Sequence, residues 1–235
     1  MKIRPNLSPN FSRKNRKLRE IKFVIIHYTG MQSEIESIKR LKNQKSKVSC
    51  HYLINRKGLI FQMVKDKNIA WHAGKSRWKN FINLNKNSLG IELVNKGHQF
   101  GYQNFTKDQI TSLIKLCKKL KKKFKIKTEN FLGHSDIAPL RKIDPGQKFP
   151  WKRLSQHKIG RWYSFRNAIT IPVDQKLDQF FFKNIKKLGY GYFNAQRRSM
   201  RDKRIVKSFQ IHYLPNKVTG IVDQKTFIIS QLLIS

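Results

Sequence analysis

The 235-residue sequence lacks a cysteine framework, a long apolar run, and an apolar stretch of about 7–15 residues near its start. Its two cysteines, Cys50 and Cys117, are too few for a disulfide scaffold, and their spacing matches no zinc-finger or redox pattern. The missing apolar runs predict neither a transmembrane helix nor a signal peptide. We therefore expect a cytoplasmic protein in a reducing compartment, with the periplasm or the cell envelope as the alternative.

Acidic residues are also scarce, with 13 Asp and Glu against 51 Lys and Arg, which gives a formal net charge of +38 at pH 7. Such a charge attracts polyanions, anionic membrane surfaces and acidic substrates. Because the lysines are scattered through every segment, a generally solvated basic surface is favoured over a dedicated binding site. The hydrophobic content of 39% is sufficient for a folded core.

The central part of the chain, residues 21–165, predicts an α/β fold with a mixed β-sheet flanked by helices. The run IKFVIIHYTG indicates a buried strand that ends at His27, SCHYLINRKGLIFQMV indicates a hairpin, and SLGIELVN indicates another strand. Helices are expected behind the N-caps Ser33 and Thr106, the second with Cys117 on its apolar face. Strands that alternate with helices but include a hairpin form a mixed sheet.

The two ends of the chain differ from this central region. Residues 1–20 are basic and contain Pro5 and Pro9, which predicts an N-terminal arm without regular structure. Residues 173–235 predict two or three short helices separated by turns, which together make a small all-α domain. A module of about sixty residues is near the lower limit for an independent core, so we expect it to dock on the first domain.

The stretch GHSDIAPLRKIDPG, residues 133–146, carries its polar groups on a loop, because its prolines and glycines oppose regular structure. His134 and Asp144 in this loop, with His27 at the end of the first strand, are competent to bind a metal. A catalytic zinc takes three such ligands and leaves one position open. Each residue alone is more often structural, since an Asp before Pro-Gly is a common turn former.

A carboxylate interrupts the strand SLGIELVN. Alternation places Leu89, Ile91 and Leu93 on one face, and Glu92 with Gly90 on the other. Gly90 leaves room for a close neighbour on that face. Either this face of the strand is exposed to solvent or Glu92 has a chemical role, and the spacing does not decide between these alternatives. Next to a buried cation it would act as a general base.

Five motifs, VIIHYTG, SCHYLI, AWHAGKSRW, NSLGIELVN and GHSDIAPLRKIDPGQKFPW, span roughly residues 20–160 in this order. They resemble the zinc-dependent N-acetylmuramoyl-L-alanine amidases, relatives of the peptidoglycan recognition proteins. The resemblance implies one Zn²⁺ per chain on His27, His134 and Asp144, with Glu92 and Lys142 as catalytic residues. It also implies hydrolysis of the amide bond between N-acetylmuramic acid, or its anhydro form, and L-alanine in peptidoglycan or muropeptides.

Two further features refine the resemblance. The phage and animal branch of the family has a Tyr before the His of the second motif, whereas this chain has Cys50. This difference leaves the acid and base steps to Glu92. In this respect the chain resembles the bacterial cell-wall amidases. The C-terminal runs IKKLGYGY, VKSFQIHY and TGIVDQKTFIISQLL are similar to a short helical peptidoglycan-binding domain, whose Gly-x-x-Asp-x-x-Thr turn matches Gly220, Asp223 and Thr226.

Substrate contacts are predicted, from their place in or beside the motifs, at Trp71, His72, Arg77 and Asn95. A Trp flanked by Ala is also a frequent core residue, and His51 is expected in the core or in support of a ligand. Part of the positive charge would recruit stem peptides, which carry carboxylates. Two rival functions are a peptidoglycan-binding protein without the metal, and a non-specific nucleic-acid binder that uses the Lys-rich helix at 115–127. That helix lacks the exposed aromatics of a nucleic-acid reading surface.

Overall fold

The structure is a computed structural model that describes residues 2–14, 16–165, 177–194 and 199–235. Within these ranges a six-stranded sheet forms the centre of the fold. In sheet order its strands are β1 (Ile3–Pro5), β5 (Ile60–Gln62), β4 (Tyr52–Ile54), β9 (Ser88–Leu93), β3 (Phe23–Tyr28) and β10 (Phe131–Gly133). Neighbouring strands are parallel except in the antiparallel hairpin of β4 and β5. The predicted mixed sheet is confirmed.

Helices and two small ribbons surround this sheet. The ribbons are β2 (Phe11–Ser12) with β6 (Ile69–Ala70), and β7 (Arg77–Trp78) with β8 (Phe81–Ile82). The described residues form seven α-helices: α1 (Glu34–Lys42), α2 (Lys107–Phe124), α3 (His134–Ile137), α4 (Trp151–Ser155), α5 (Leu177–Leu188), α6 (Asp202–Tyr213) and α7 (Gln224–Leu232). None of them is long and apolar enough to cross a membrane.

Side-chain alternation gives the sheet two apolar faces. Val24 and Ile26 of β3 share a core with α2, while Phe23 and Ile25 share the opposite core with α5 and α6. His27 continues the row of Phe23 and Ile25. The parallel register of β3 and β9 pairs His27 with Glu92, so the sheet itself brings these two predicted site residues together.

The expectation that residues 1–20 lack regular structure is wrong. β1 pairs with β5 at the edge of the sheet, and β2 pairs with β6. Pro5 is tolerated in β1 because an edge strand leaves one row of backbone groups unpaired. Arg16 is buried, and its guanidinium donates hydrogen bonds to the carbonyl oxygens of Asp66, Asn85, Lys86 and Ser88. These long-range contacts outweigh a composition that by itself favours disorder.

The three C-terminal helices pack against the sheet, as the sequence predicts. Phe181 of α5 and Phe209 of α6 share a buried core with Phe23 and Leu132 of the sheet. Asp223 caps α7, because its Oδ1 accepts hydrogen bonds from the backbone and the hydroxyl of Thr226. Residue 173, the expected start of this domain, lies outside the described residues.

Candidate active site

Three metal-competent side chains converge at the carboxyl end of β3. The Nδ1 atoms of His27 and His134 lie 3.0 Å apart, and Asp144 Oδ2 lies 3.0 Å from the first and 3.1 Å from the second. All three residues are buried. Ligand atoms of a tetrahedral zinc with bonds of about 2.0–2.1 Å lie about 3.3 Å apart. The spacing of these three atoms therefore fits such an ion.

Each ligand is held by a different part of the fold. His27 lies near the end of β3. His134 is the first residue of the short helix α3, directly after the neighbouring strand β10, so the expectation of a loop without regular structure is wrong for the first residues of this stretch. Asp144 lies in the following loop, where its carbonyl oxygen accepts a hydrogen bond from the Ser135 backbone N–H at 2.9 Å. The pairing of β3 with β10 therefore brings together residues that are far apart in sequence.

Hydrogen bonds behind His27 determine which ring nitrogen faces the site. His27 Nε2 lies 3.1 Å from His72 Nδ1, and His72 Nε2 lies 3.2 Å from Ser88 Oγ. The Ser88 hydroxyl donates to the Leu84 carbonyl at 2.6 Å, so its oxygen is left to accept a proton from His72 Nε2. His72 Nδ1 then accepts from His27 Nε2–H. This order leaves the Nδ1 lone pair of His27 free for a metal.

The charge states of His27 and Asp144 and the hydrogen bonding of His134 also suit a metal. Burial, followed by the charge of His134, lowers the pKa of His27 to about 4, so its ring is neutral at pH 7. Burial alone would raise the pKa of Asp144, but His134 and His27 hold it below its usual range. His134 Nε2 lies 3.2 Å from the Ala73 carbonyl, which accepts its proton and leaves Nδ1 free. Two imidazole nitrogens and one carboxylate form a donor set typical of catalytic zinc.

Glu92 lines the same cleft as the three ligands. Burial, followed by the negative charge of Asp144, raises the pKa of Glu92 to about 8, and Lys142, which also lines the cleft, opposes this rise. Among the described residues, Glu92 Oε2 is a buried atom without a hydrogen-bond partner. A carboxylate with a raised pKa and a free oxygen beside a metal site is suited to take up a proton.

The neighbour that the sequence predicts beside Gly90 is His72. A Cβ atom on Gly90 would lie only 2.4 Å from His72 Cγ. His72 lines the cleft, but its two ring nitrogens contact His27 and Ser88. Its side chain is therefore placed to orient His27, a role that the sequence did not indicate.

The other three predicted substrate contacts have different surroundings. Trp71 lines the cleft, and its Nε1 donates a hydrogen bond to Ser12 Oγ at 3.0 Å. Asn95 is buried and its Nδ2 donates to the Gln103 carbonyl at 2.9 Å. Arg77 is exposed on β7. Neither Asn95 nor Arg77 is among the described residues that line the cleft.

His51 and Cys50 are buried behind the site. His51 Nδ1 accepts a hydrogen bond from the Gly90 N–H at 3.0 Å, and its Nε2 lies 2.8 Å from an Arg16 nitrogen, so it is the core residue that the sequence predicts. Burial, followed by the charge of Glu92, raises the pKa of the Cys50 thiol well above its usual value. The thiol therefore stays protonated at neutral pH and is unsuited to act as a base.

Sequence reasoning missed two cations in the cleft, which has a volume of about 540 Å³. Arg40 and Arg141 line it together with Lys142. Arg141 also donates a hydrogen bond to the Ala73 carbonyl, the acceptor used by His134. The position of Arg141 next to Lys142 in the sequence could have indicated a second cation in the cleft. The direction of its side chain, however, depends on how the loop folds. The three cations suit an anionic ligand.

The fold and the site together define a class of protein. A buried set of two histidines and one carboxylate, open to a cleft that also holds a second carboxylate and a lysine, is the arrangement of a hydrolase that uses a metal-activated water. The buried Oε2 of Glu92, which has no hydrogen-bond partner among the described residues, faces no competing protein donor for its lone pairs.

Comparisons with known proteins give the family. Residues 17–147 match the family model described as N-acetylmuramoyl-L-alanine amidase. The chain is 36% identical over 236 aligned positions to the N-acetylmuramoyl-L-alanine amidase AmiD of Escherichia coli, covering 91% of this chain and 82% of AmiD. It is 43% identical over 108 residues to the 1,6-anhydro-N-acetylmuramyl-L-alanine amidase AmpD of Haemophilus influenzae, covering 46% and 56% of the two chains.

Solved structures agree with this assignment. The complex of E. coli AmiD with anhydro-N-acetylmuramic acid-L-Ala-D-γ-Glu-L-Lys has a TM-score of 0.79 at 32% identity, over 94% of this chain and 91% of that one. The complex of Pseudomonas aeruginosa AmpDh3 with anhydromuramic pentapeptide also has a TM-score of 0.79, at 29% identity over 94% and 93%. The chain therefore belongs to the N-acetylmuramoyl-L-alanine amidase family and is an enzyme of that class.

Proposed function

We propose that this amidase uses one Zn²⁺, held by His27, His134 and Asp144, and acts on peptidoglycan fragments that carry anhydro-N-acetylmuramic acid. The observation that carries the proposal is the convergence of the two Nδ1 atoms and the Asp144 carboxylate within 3.1 Å, in a cleft shared with Glu92. The bond cleaved joins the lactyl carbonyl of the muramic acid to the nitrogen of L-alanine.

The residues of this chain divide the chemistry between them. A bound Zn²⁺ would lower the pKa of a water molecule toward about 7 and polarise the scissile carbonyl. Glu92 accepts the proton that the attacking water releases as its oxygen bonds to the carbonyl carbon. Glu92 then donates that proton to the alanine nitrogen as the C–N bond breaks. The ammonium of Lys142 stabilises the negative charge that develops on the carbonyl oxygen.

Two observations support an anionic muropeptide as the substrate. The cleft of about 540 Å³ is lined by Arg40, Arg141 and Lys142, which complement the carboxylates of a stem peptide. The structures of AmiD and AmpDh3 to which this chain is similar contain anhydromuramic peptides. Trp71 lines the same cleft and provides an apolar surface for the ligand.

We further propose that residues 21–165 form the catalytic domain, and that residues 173–235 form a small peptidoglycan-binding-like domain docked on it. A groove of about 710 Å³ on these helices supports binding, since it combines apolar and amide side chains with lysines: Phe180, Lys183, Asn184, Lys186, Lys187, Asn194, Gln231 and Ile234. The cytoplasmic location expected from the sequence stays a prediction, and cell fractionation would test it.

The test is direct. The zinc-loaded protein is incubated with anhydro-N-acetylmuramic acid-L-Ala-D-γ-Glu-L-Lys, and the products are analysed by mass spectrometry for the free tripeptide. We expect cleavage that a chelator abolishes and added Zn²⁺ restores. Glu92→Gln should reduce kcat about 10²–10⁴-fold, because it removes the proton acceptor. Glu36→Gln, which changes an exposed Glu on α1, should behave as wild type.

The outcome against the proposal is equally specific. Binding of the muropeptide without release of the tripeptide, at saturating Zn²⁺, would favour the rival peptidoglycan-binding protein. Cleavage that survives complete metal removal would overturn the role of His27, His134 and Asp144 as ligands.

A further inference from the structure

A buried carboxylate links the C-terminal helices to the proposed metal site. Asp136 lies two residues after His134 in α3, and its side chain is 1% exposed. Its Oδ2 accepts hydrogen bonds from the Gly133 N–H at 2.7 Å and from His212 Nδ1 at 2.8 Å, and its Oδ1 accepts from the Tyr190 hydroxyl at 2.6 Å. Two of these three donors therefore come from the C-terminal helices and their connection.

A second hydrogen bond fixes the backbone of the same helix. Ser208 Oγ in α6 donates to the carbonyl oxygen of Ser135 at 2.7 Å, and the bond is buried. Because α3 has only four residues, His134 to Ile137, it has little internal hydrogen bonding to hold its own geometry. The position of His134 therefore depends on external contacts to the two residues that follow it.

Two aromatic rings hold the His212 side chain in the position from which it bonds to Asp136. Its ring stacks on Trp151 of α4 at 4.0 Å and on Tyr213 at 4.1 Å. Its Nε2 is buried without a hydrogen-bond partner among the described residues, which is unfavourable for a polar atom. An apolar ring would pack there without this cost. The bond from Nδ1 to Asp136 is the compensating interaction.

From these contacts we infer that the C-terminal helices help to build the metal site, with Tyr190, Ser208 and His212 as positioning residues that hold α3 and thereby His134. The inference rests on the proposed metal site and assigns these helices a role beyond wall binding. Groups that support metal ligands from outside typically change metal affinity about 10–100-fold when removed.

The experiment measures Zn²⁺ affinity of the full-length chain by competition with a chromophoric chelator, and records the visible spectrum of the Co²⁺-substituted protein. Tyr190→Phe removes one hydroxyl and keeps the ring. His212→Phe keeps the stacked ring and removes the donor to Asp136. His212→Asn replaces Nδ1 with an amide donor at a similar place on the side chain. Ser230→Ala is the control, because Ser230 is buried in α7 and bonds to Asn184 and Phe227 within the C-terminal helices.

We expect Tyr190→Phe and His212→Phe to weaken Zn²⁺ binding about tenfold or more and to shift the Co²⁺ absorption bands. His212→Asn should recover most of the affinity. Ser230→Ala should lower the unfolding temperature and leave both metal readouts unchanged. Wild-type affinity and spectra in both phenylalanine variants would overturn the inference. Wild-type protein that binds no Zn²⁺ would instead overturn the proposed function on which the inference rests.

Discussion

The charged side chain of Glu92 lowers the stability of the folded protein, although its proposed role in catalysis requires that charge. Burial makes its charged form costly, and the negative charge of Asp144 adds to this cost, while Lys142 offsets a part. A glutamine at this position would avoid the cost of burying a charge, but its amide could not act as a proton acceptor. If Glu92 is the general base that we propose, the carboxylate costs stability and supplies a group whose pKa lies near neutral pH.

This opposition predicts a pH-dependent stability difference in the metal-free protein. The folded state binds the Glu92 proton more tightly than the unfolded chain, since its pKa is raised from 4.5 to about 8. The stability that the proton contributes is complete below pH 4.5 and is lost as the pH rises toward 8. In urea unfolding with a chelator present, the free energy of unfolding of Glu92→Gln should rise relative to that of wild type by at least about 1 kcal/mol from pH 5 to pH 8.5.

The control for that measurement is Glu36→Gln, whose side chain is exposed on α1. Its unfolding free energy should follow wild type at both pH values. A difference between Glu92→Gln and wild type that does not change with pH would contradict the raised pKa.

Among the structural elements, the N-terminal segment differs most from the expectation, because it supports the central sheet and is not an unstructured arm. Arg16 is 4% exposed, and burial lowers its pKa to about 10, so it remains charged at neutral pH. Its guanidinium also lies 2.8 Å from His51, which in turn accepts a hydrogen bond from Gly90 of β9. The segment thus supports the strand that carries Glu92.

Arg16→Met should therefore destabilise the protein strongly. The variant leaves several buried carbonyl groups without donors, and we expect a loss of about 3 kcal/mol in the free energy of unfolding, measured by urea denaturation. Arg13→Met, in the same segment but exposed, should stay within about 0.5 kcal/mol of wild type. Equal effects of the two substitutions would show that the buried guanidinium has no special role.

Local patterns explain why some elements were predictable and this segment was not. The periodicity of α2 and the alternation of β9 are properties of neighbouring residues, and the capping residues Ser33 and Thr106 act within one turn. Those predictions were confirmed. The contacts of the Arg16 side chain reach residues 35 to 72 positions away, and no local pattern records them.

The candidate site shows the same division. The loop motif and the strand end indicated His27, His134 and Asp144, and the structure brings them together. The orienting contact of His72 with His27 depends on the close approach that Gly90 permits, which is a property of packing. The direction of Arg77 and the buried amide of Asn95 likewise follow from tertiary structure.

At the scale of the whole molecule, the net charge of +38 raises the question of how much of it acts on the substrate. At an ionic strength of 0.1 M, exposed charges are screened beyond about 10 Å. The cations of the cleft, Arg40, Arg141 and Lys142, should therefore dominate attraction of a stem-peptide carboxylate, while lysines along α2 contribute little.

We therefore predict a salt effect on substrate binding that depends on the cations of the cleft. Between about 0.05 and 0.5 M NaCl, KM for the muropeptide should rise roughly 3–10-fold while kcat changes less than about twofold, because salt weakens encounter and binding more than the chemical step. Arg40→Gln should raise KM at low salt and reduce the salt dependence. Lys118→Gln removes the same charge from an exposed position on α2 and should change neither quantity. If both variants shifted KM equally, the field of the entire surface would be guiding the substrate, and the cations of the cleft would have no privileged role.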